Sequence, residues 1–161
     1  MSAVSEHAAS PGHELVLSRI IDAAPEMLYR AWTEPDLLRR WFCPRPWGVA
    51  RATLDVRPGG ICHVVMLSPE GKEFPNPGVY LDVIPTRRLV FTDAYVEAWI
   101  PSDKPFMTGV IDFEDLGDGR TRYTARALHW TGADRETHEK MGFHEGWGKA
   151  TDQLAELVAT L

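Results

Sequence analysis

The sequence predicts an α+β fold in which a curved antiparallel sheet closes over one long C-terminal helix, with space left between them. Three observations carry this. From Trp47 to Trp130 the chain reads as short strands separated by Pro/Gly turns. From Thr131 to Thr160 it reads as one amphipathic helix. That helix holds Gly142, Gly146 and Gly148 around Trp147, although a glycine inside a helix costs about 1 kcal/mol relative to alanine. Glycines tolerated there point to room, or to close approach, on that face.

Residues 1–13 read as a disordered tail: Ala, Ser, Glu and His with Pro11-Gly12, and none of the basic and apolar pattern of a signal peptide. Residues 14–161 read as a single domain, with Glu14 to Ile21 as its first strand. Pro25 suits the first turn of a helix, where its missing N–H is not needed, and Leu28, Ala31 and Trp32 follow at helical spacing. Pro35 ends that helix and starts another, with Thr33 or Glu34 as cap and Leu37, Leu38 and Trp41 on the buried face. Cys43-Pro44-Arg45-Pro46 closes this pair.

Six strands are expected next. Ala52, Leu54 and Val56 alternate with polar residues. Arg57-Pro58-Gly59-Gly60 has the chemistry of a type II turn. Strands over 61–67, 78–84, 88–96, 106–114 and 120–130 follow, with turns at Ser68-Pro69-Glu70-Gly71, Pro85-Thr86 and Gly117-Asp118-Gly119. Thr131-Gly132-Ala133-Asp134 has the Thr-x-x-acid pattern of a helix start. The helix from there is about 26 residues, or roughly 40 Å.

Composition narrows the function classes. A hydrophobic share of 44% and a charged share of 25% describe a soluble globular chain. A net charge of -6, with Arg39-Arg40 and Arg87-Arg88 as isolated pairs, argues against nucleic acid, which needs a positive face. No apolar run reaches the roughly 20 residues of a membrane span. Cys43 and Cys62 form no metal or disulfide pattern, and two free thiols point to the cytoplasm.

Several motifs carry a resemblance. They are Ile21-Asp22-Ala23-Ala24-Pro25, Ala31-Trp32-Thr33, Trp41-Phe42-Cys43-Pro44, Asp55-Val56-Arg57-Pro58-Gly59-Gly60, Pro85-Thr86-Arg87-Arg88-Leu89-Val90-Phe91-Thr92 and Gly146-Trp147. In this order and spacing the chain resembles the START-related, birch-pollen-allergen-like superfamily (SRPBCC). Within it the match is to the activator of heat-shock protein 90 ATPase homologue family. The resemblance implies a helix-grip fold around a hydrophobic cavity. Members bind lipids, polyketides or other apolar ligands, and some are enzymes.

His138-Glu139 starts like a zinc-protease helix, but Gly142 stands where the second histidine must be. His138, Met141, Gly142 and Glu145 share a helical face by spacing; the plainer reading is a solvated helix start. His144 and Trp147, one turn apart, could pack together. His63 and His129 fall on strands, where structural roles are commoner than catalytic ones. No Gly-x-Ser-x-Gly elbow or phosphate loop is present, and Cys43 has no neighbouring base. No cofactor or metal is expected.

The expected pocket is therefore apolar: Trp41, Leu54, Val64, Met66, Tyr80, Phe91, Tyr95, Met107, Ile111, Met141, His144 and Trp147. Gly109, Ala125, Ala127, Gly142 and Gly146 are small enough to leave volume within it. The leading expectation is a binding module for a small apolar or aromatic molecule. The alternative is a cyclase, dehydratase or hydrolase in the same cavity, using His138, His144, Glu145, His63 or Tyr95 as acid or base. Third is a chaperone ATPase activator, although the activators resembled carry an extra N-terminal domain that these 161 residues do not hold. A homodimer is also expected, because an exposed sheet edge needs cover.

Overall fold

The computed structural model describes residues 11–161. Most of the expected tail lies outside the described residues. Its last three, Pro11–His13, are not tail-like but form a 3-10 turn leading into the first strand.

Strand β1 is Glu14–Ile21, as the alternation predicted. Helices α1 (Pro25–Thr33) and α2 (Pro35–Leu38) follow, each with proline in its first turn. They bury Leu28, Ala31, Trp32, Leu37 and Leu38 against the sheet, the face expected from their spacing. The expected cap of α2 differs. Glu34 holds the cap position without a side-chain bond to the helix, and its carboxylate accepts from Arg30 Nε at 2.8 Å instead. Thr33 Oγ1 turns back to donate to the Tyr29 carbonyl.

The strands then run β2 (Gly48–Leu54), β3 (Cys62–Leu67), β4 (Glu73–Asn76), β5 (Val79–Ile84) and β6 (Arg88–Thr92). After them come β7 (Tyr95–Glu97), β8 (Ile100–Pro101), β9 (Met107–Gly117) and β10 (Arg120–His129). Two features depart from the expected six strands. The exposed strand β4 carries no apolar alternation that would reveal it. The strand expected over 88–96 breaks after Thr92, where the Asp93 side chain bonds backbone across the sheet, and resumes as the β7–β8 hairpin.

All pairings are antiparallel. The main sheet has the order β1-β10-β9-β6-β5, and a second has the order β2-β3-β4. The turn after β2 joins them. Pro58 and Gly59 occupy its centre, Gly59 has φ +82°, and Gly60 N–H donates to the Arg57 carbonyl at 2.8 Å. That geometry is the predicted type II turn. Gly59 N–H then donates to the Tyr80 carbonyl, and Tyr80 N–H to the Gly60 carbonyl, so the turn is sewn to β5. Along β10, Thr121, Tyr123, Ala125, Ala127 and His129 alternate inward, placing a continuous apolar face behind the helices.

The expected single long helix is two. Helix α3 is Gly132–Lys140 and α4 is Phe143–Val158. The Thr131 cap is as predicted, its hydroxyl accepting from Asp134 N–H at 3.0 Å. The break falls at Gly142, whose φ of +97° lies in the left-handed region that side chains strongly disfavour. The three helix glycines thus have three separate causes. Gly142 turns the chain. Gly146 faces open space, with nothing within 4 Å of where a Cβ would be. Gly148 lets α4 approach β1, since its Cβ would lie 3.2 Å from the Arg19 guanidinium.

These causes predict opposite outcomes for one substitution. Gly142→Ala is expected to lower stability by about 1 kcal/mol through the left-handed conformation. Gly146→Ala should raise it by up to about 1 kcal/mol through helix propensity. Urea unfolding of the two variants checks this, and equal effects would contradict the assignment.

Candidate functional site

Between the sheet and the N-terminal half of α4 lies a cavity of about 440 Å³. Its body is aromatic and aliphatic. Trp32 stands at its centre, with ring centroids 4.9 Å from Trp41, 5.9 Å from Phe42 and 5.7 Å from Phe91. Two indole N–H groups are satisfied within this wall. Trp32 donates to Tyr123 Oη at 3.1 Å and Trp41 to the Ala31 carbonyl at 3.0 Å, which fixes both rings. Gly142, Phe143, Gly146, Trp147, Ala150 and Thr151 form the helix side. Exposed Asn76, Pro77 and Met141 lie where the cavity meets solvent.

Of the twelve residues expected in the pocket, Trp41, Val64, Met66, Tyr80, Phe91, Met107, Met141 and Trp147 line it. Four do not. Ile111 is fully buried in the core behind the cavity, and Leu54 packs against that core from the end of β2. Tyr95 stands on the β7–β8 hairpin, edge-on to Trp99 at 5.5 Å. His144 lies on the outer side of α4, exposed, with Nε2 3.5 Å from the Glu139 carboxylate. Its expected packing with Trp147 is not formed; Phe143 takes that place, with centroids 4.5 Å apart. Spacing fixes which residues share a helical face but not which face meets the cavity, and in α4 that face carries Phe143 and Trp147 rather than His144.

The small residues also act differently from expectation. Gly109 does not leave a void. A Cβ there would lie 2.4 Å from the Phe91 ring, so the glycine admits Phe91, and Phe91 forms the wall. Ala125 and Ala127 are buried in the core. Gly142 and Gly146 do border the cavity.

The largest correction concerns His138. The plainer reading made it part of a solvated helix start. It is buried, with 9% of its surface exposed, and it lines the cavity. Its Nδ1 lies 3.0 Å from His129 Nε2, and His129 Nδ1 lies 2.9 Å from the Phe106 carbonyl. Rings of Phe106, Phe143 and Trp147 surround it at 5.2, 5.2 and 5.8 Å. Burial, and then the neighbouring His129, push His138 down from 6.5 to about 4. Glu145, by contrast, is exposed. His63 anchors β3 to the β7–β8 hairpin through Nε2 and the Val96 carbonyl at 2.7 Å.

Two polar features were not legible in the sequence. Asp93 borders the cavity, and its Oδ1 accepts from Phe106 N–H at 2.8 Å and Met107 N–H at 3.1 Å. Burial raises its carboxyl above the usual range, opposed by those two bonds. Gln153, buried on α4, donates to the carbonyls of Trp41 at 3.0 Å and Cys43 at 2.8 Å, and accepts from Arg45 N–H at 2.9 Å. It ties the 41–45 segment to the helix. A polar residue between Ala150 and Leu154 on an apolar face was the one available signal for Gln153; Asp93 gave none.

Cys43 and Cys62 both border the cavity as free thiols. Burial pushes each up to about 11, so both are protonated at neutral pH. Burial likewise raises the Tyr80 and Tyr123 phenols. Among the described residues, no group of three His, Cys, Asp or Glu side chains converges as a metal site. No helix among them is long and apolar enough to cross a membrane.

A family model described as Activator of Hsp90 ATPase homolog 1-like protein matches residues 22–159. A crystal structure of a protein from Nitrosomonas europaea is 42% identical, with a TM-score of 0.90, and the match covers 94% of this chain and 97% of that one. A crystal structure from Chromobacterium violaceum is 27% identical, with a TM-score of 0.69, over 91% of this chain and 96% of that one. An AHSA1-like protein from Aeromonas hydrophila, 20% identical over 91% and 93% of the two chains, shares the fold with a TM-score of 0.64. No curated protein matches significantly.

Two outcomes follow from the buried polar groups. Gln153→Leu strands two buried backbone carbonyls and the part-buried Arg45 N–H, and should cost about 2 kcal/mol in urea unfolding. His138 has its folded pKa lowered to about 4. The unfolded chain therefore binds the extra proton first, so its stabilising contribution is complete above pH 6.5 and declines as pH falls towards about 4. His138→Phe should flatten that part of the stability profile, measured by denaturation between pH 4 and 7. An unchanged slope would contradict a buried, neutral His138.

Proposed function

The chain belongs to the Activator of Hsp90 ATPase homolog 1-like family, and from that membership and the chamber within it we propose that the protein binds one small, largely apolar or aromatic molecule. The observation that carries this is the volume left over. About 440 Å³ falls within the range of small-molecule sites, and its wall is mostly aromatic and aliphatic with few polar groups. A packed core would have filled that space, because interiors approach crystal density.

Binding is favoured over catalysis in the same cavity by the state of its reactive groups. A histidine whose pKa is held near 4 is a weak base at neutral pH. The two thiols, near 11, are poor nucleophiles there. His144 and Glu145, candidates for acid or base, stand outside the cavity. The free thiols support a reducing, cytoplasmic setting. Activation of a chaperone ATPase, which the family description names, has no feature of the cavity in its support.

Native mass spectrometry of the purified protein is expected to show a small-molecule mass increment that disappears on denaturation. Met66→Trp, which places an indole in the chamber, should weaken binding of an apolar fluorescent probe at least tenfold with the far-UV spectrum unchanged. A chain that carries no ligand and shows no saturable binding of apolar aromatic probes would refute the reading.

A further inference from the structure

The polar end of the chamber specifies what kind of apolar molecule fits, and the inference rests on the binding reading above. A backbone carbonyl can only accept, so the Phe106 carbonyl requires a proton on His129 Nδ1. In a neutral imidazole this leaves His129 Nε2 as an acceptor. Its bond to His138 Nδ1 then requires the His138 proton on Nδ1. The same reasoning ends at His138 Nε2, which carries a lone pair and has no protein partner among the described residues. His138 borders the chamber, and with Nδ1 facing His129 its Nε2 lies on the side of the ring away from that partner.

Asp93 repeats the pattern. It also borders the chamber, it can only accept when ionised, and its Oδ1 is held by the backbone of the same Phe106. One residue therefore positions both acceptors: the Phe106 N–H holds Asp93 and the Phe106 carbonyl fixes the histidine pair. Apart from these, the surroundings of His138 are rings of Phe106, Phe143 and Trp147. With no protein partner among the described residues, that lone pair is open to a hydrogen bond from a ligand or water in the chamber.

We propose that the ligand is an aromatic or alicyclic molecule bearing a hydroxyl or N–H donor, seated with that donor on His138 Nε2 and its apolar body against Trp32, Phe91 and Trp147. The histidine pair is thus a tautomer lock that turns an apolar chamber into a site selective for donor-bearing ligands. Burial keeps His138 near 4, so its ring stays neutral and its lone pair available at physiological pH.

The test uses two probes of nearly equal shape, 2-naphthol and 2-methylnaphthalene, titrated against the full chain and followed by tryptophan fluorescence. The wild type is expected to bind 2-naphthol about tenfold tighter, the effect of one well-made buried hydrogen bond. His138→Phe should bind both probes alike. Nitrogen-15 NMR of the histidines supplies a readout independent of that variant's folding. His138 Nε2 should resonate as an unprotonated nitrogen and shift on adding 2-naphthol but not 2-methylnaphthalene. Equal affinity of the wild type for the two probes, a preference that survives His138→Phe, or a protonated Nε2 would each overturn the proposal while leaving the binding reading intact. Failure of both probes to bind would overturn the binding reading and this inference with it.

Discussion

Helix α4 joins the main core through its C-terminal half, while its N-terminal half touches the sheet at Phe143 and Gly148 and borders the chamber between them. Every other feature of the site depends on that division. Leu154, Leu157 and Val158 belong to the same core as Leu28, Trp32 and Ile111. About two to three turns earlier, Phe143, Gly146 and Trp147 border the chamber. Gln153 sits at the junction and holds the helix to the 41–45 segment by three hydrogen bonds, two of them buried. At the other end the left-handed Gly142 releases α3 to fold over the end of the sheet. The chamber is the gap between a clamped end and a hinged one.

The same break accounts for the polar end of the site. A continuous helix would have kept His138 on a face set by the phase of α4. With the phase reset at Gly142, His138 swings inward to meet His129. The pair is then supported by Phe106, whose backbone also holds Asp93. Local conformation at one glycine therefore sets the chemistry of the cavity, through two histidines nine residues apart in sequence.

What was legible in the sequence was whatever rests on local rules. The alternation of β1, the prolines opening α1 and α2, the type II turn at Pro58-Gly59 and the Thr131 cap all follow from residues within one turn of each other. The helix-grip fold was legible from the order of elements and from the family motifs, and eight of twelve expected residues do border the cavity. The misses are tertiary. Gly142 was read as space and is a break. Gly109 was read as space and is filled by Phe91. His144 sits outside although it shares α4 with Trp147, and His138 is buried because its contact with His129 overrides the solvated helix start that local composition suggests. Asp93 and Gln153 act on backbone groups distant in sequence, which no local pattern encodes.

The central claim is physical: the sheet and α4 enclose a stable apolar chamber rather than a core that closes when empty. A crystal of the protein pressurised with xenon tests it most directly, because a rigid apolar cavity takes up the gas. The account predicts ordered xenon between Met66, Phe91 and Trp147 with the surrounding side chains unmoved. Crystals in which Phe91 and Trp147 have collapsed into contact, with no xenon between the sheet and α4, would contradict it.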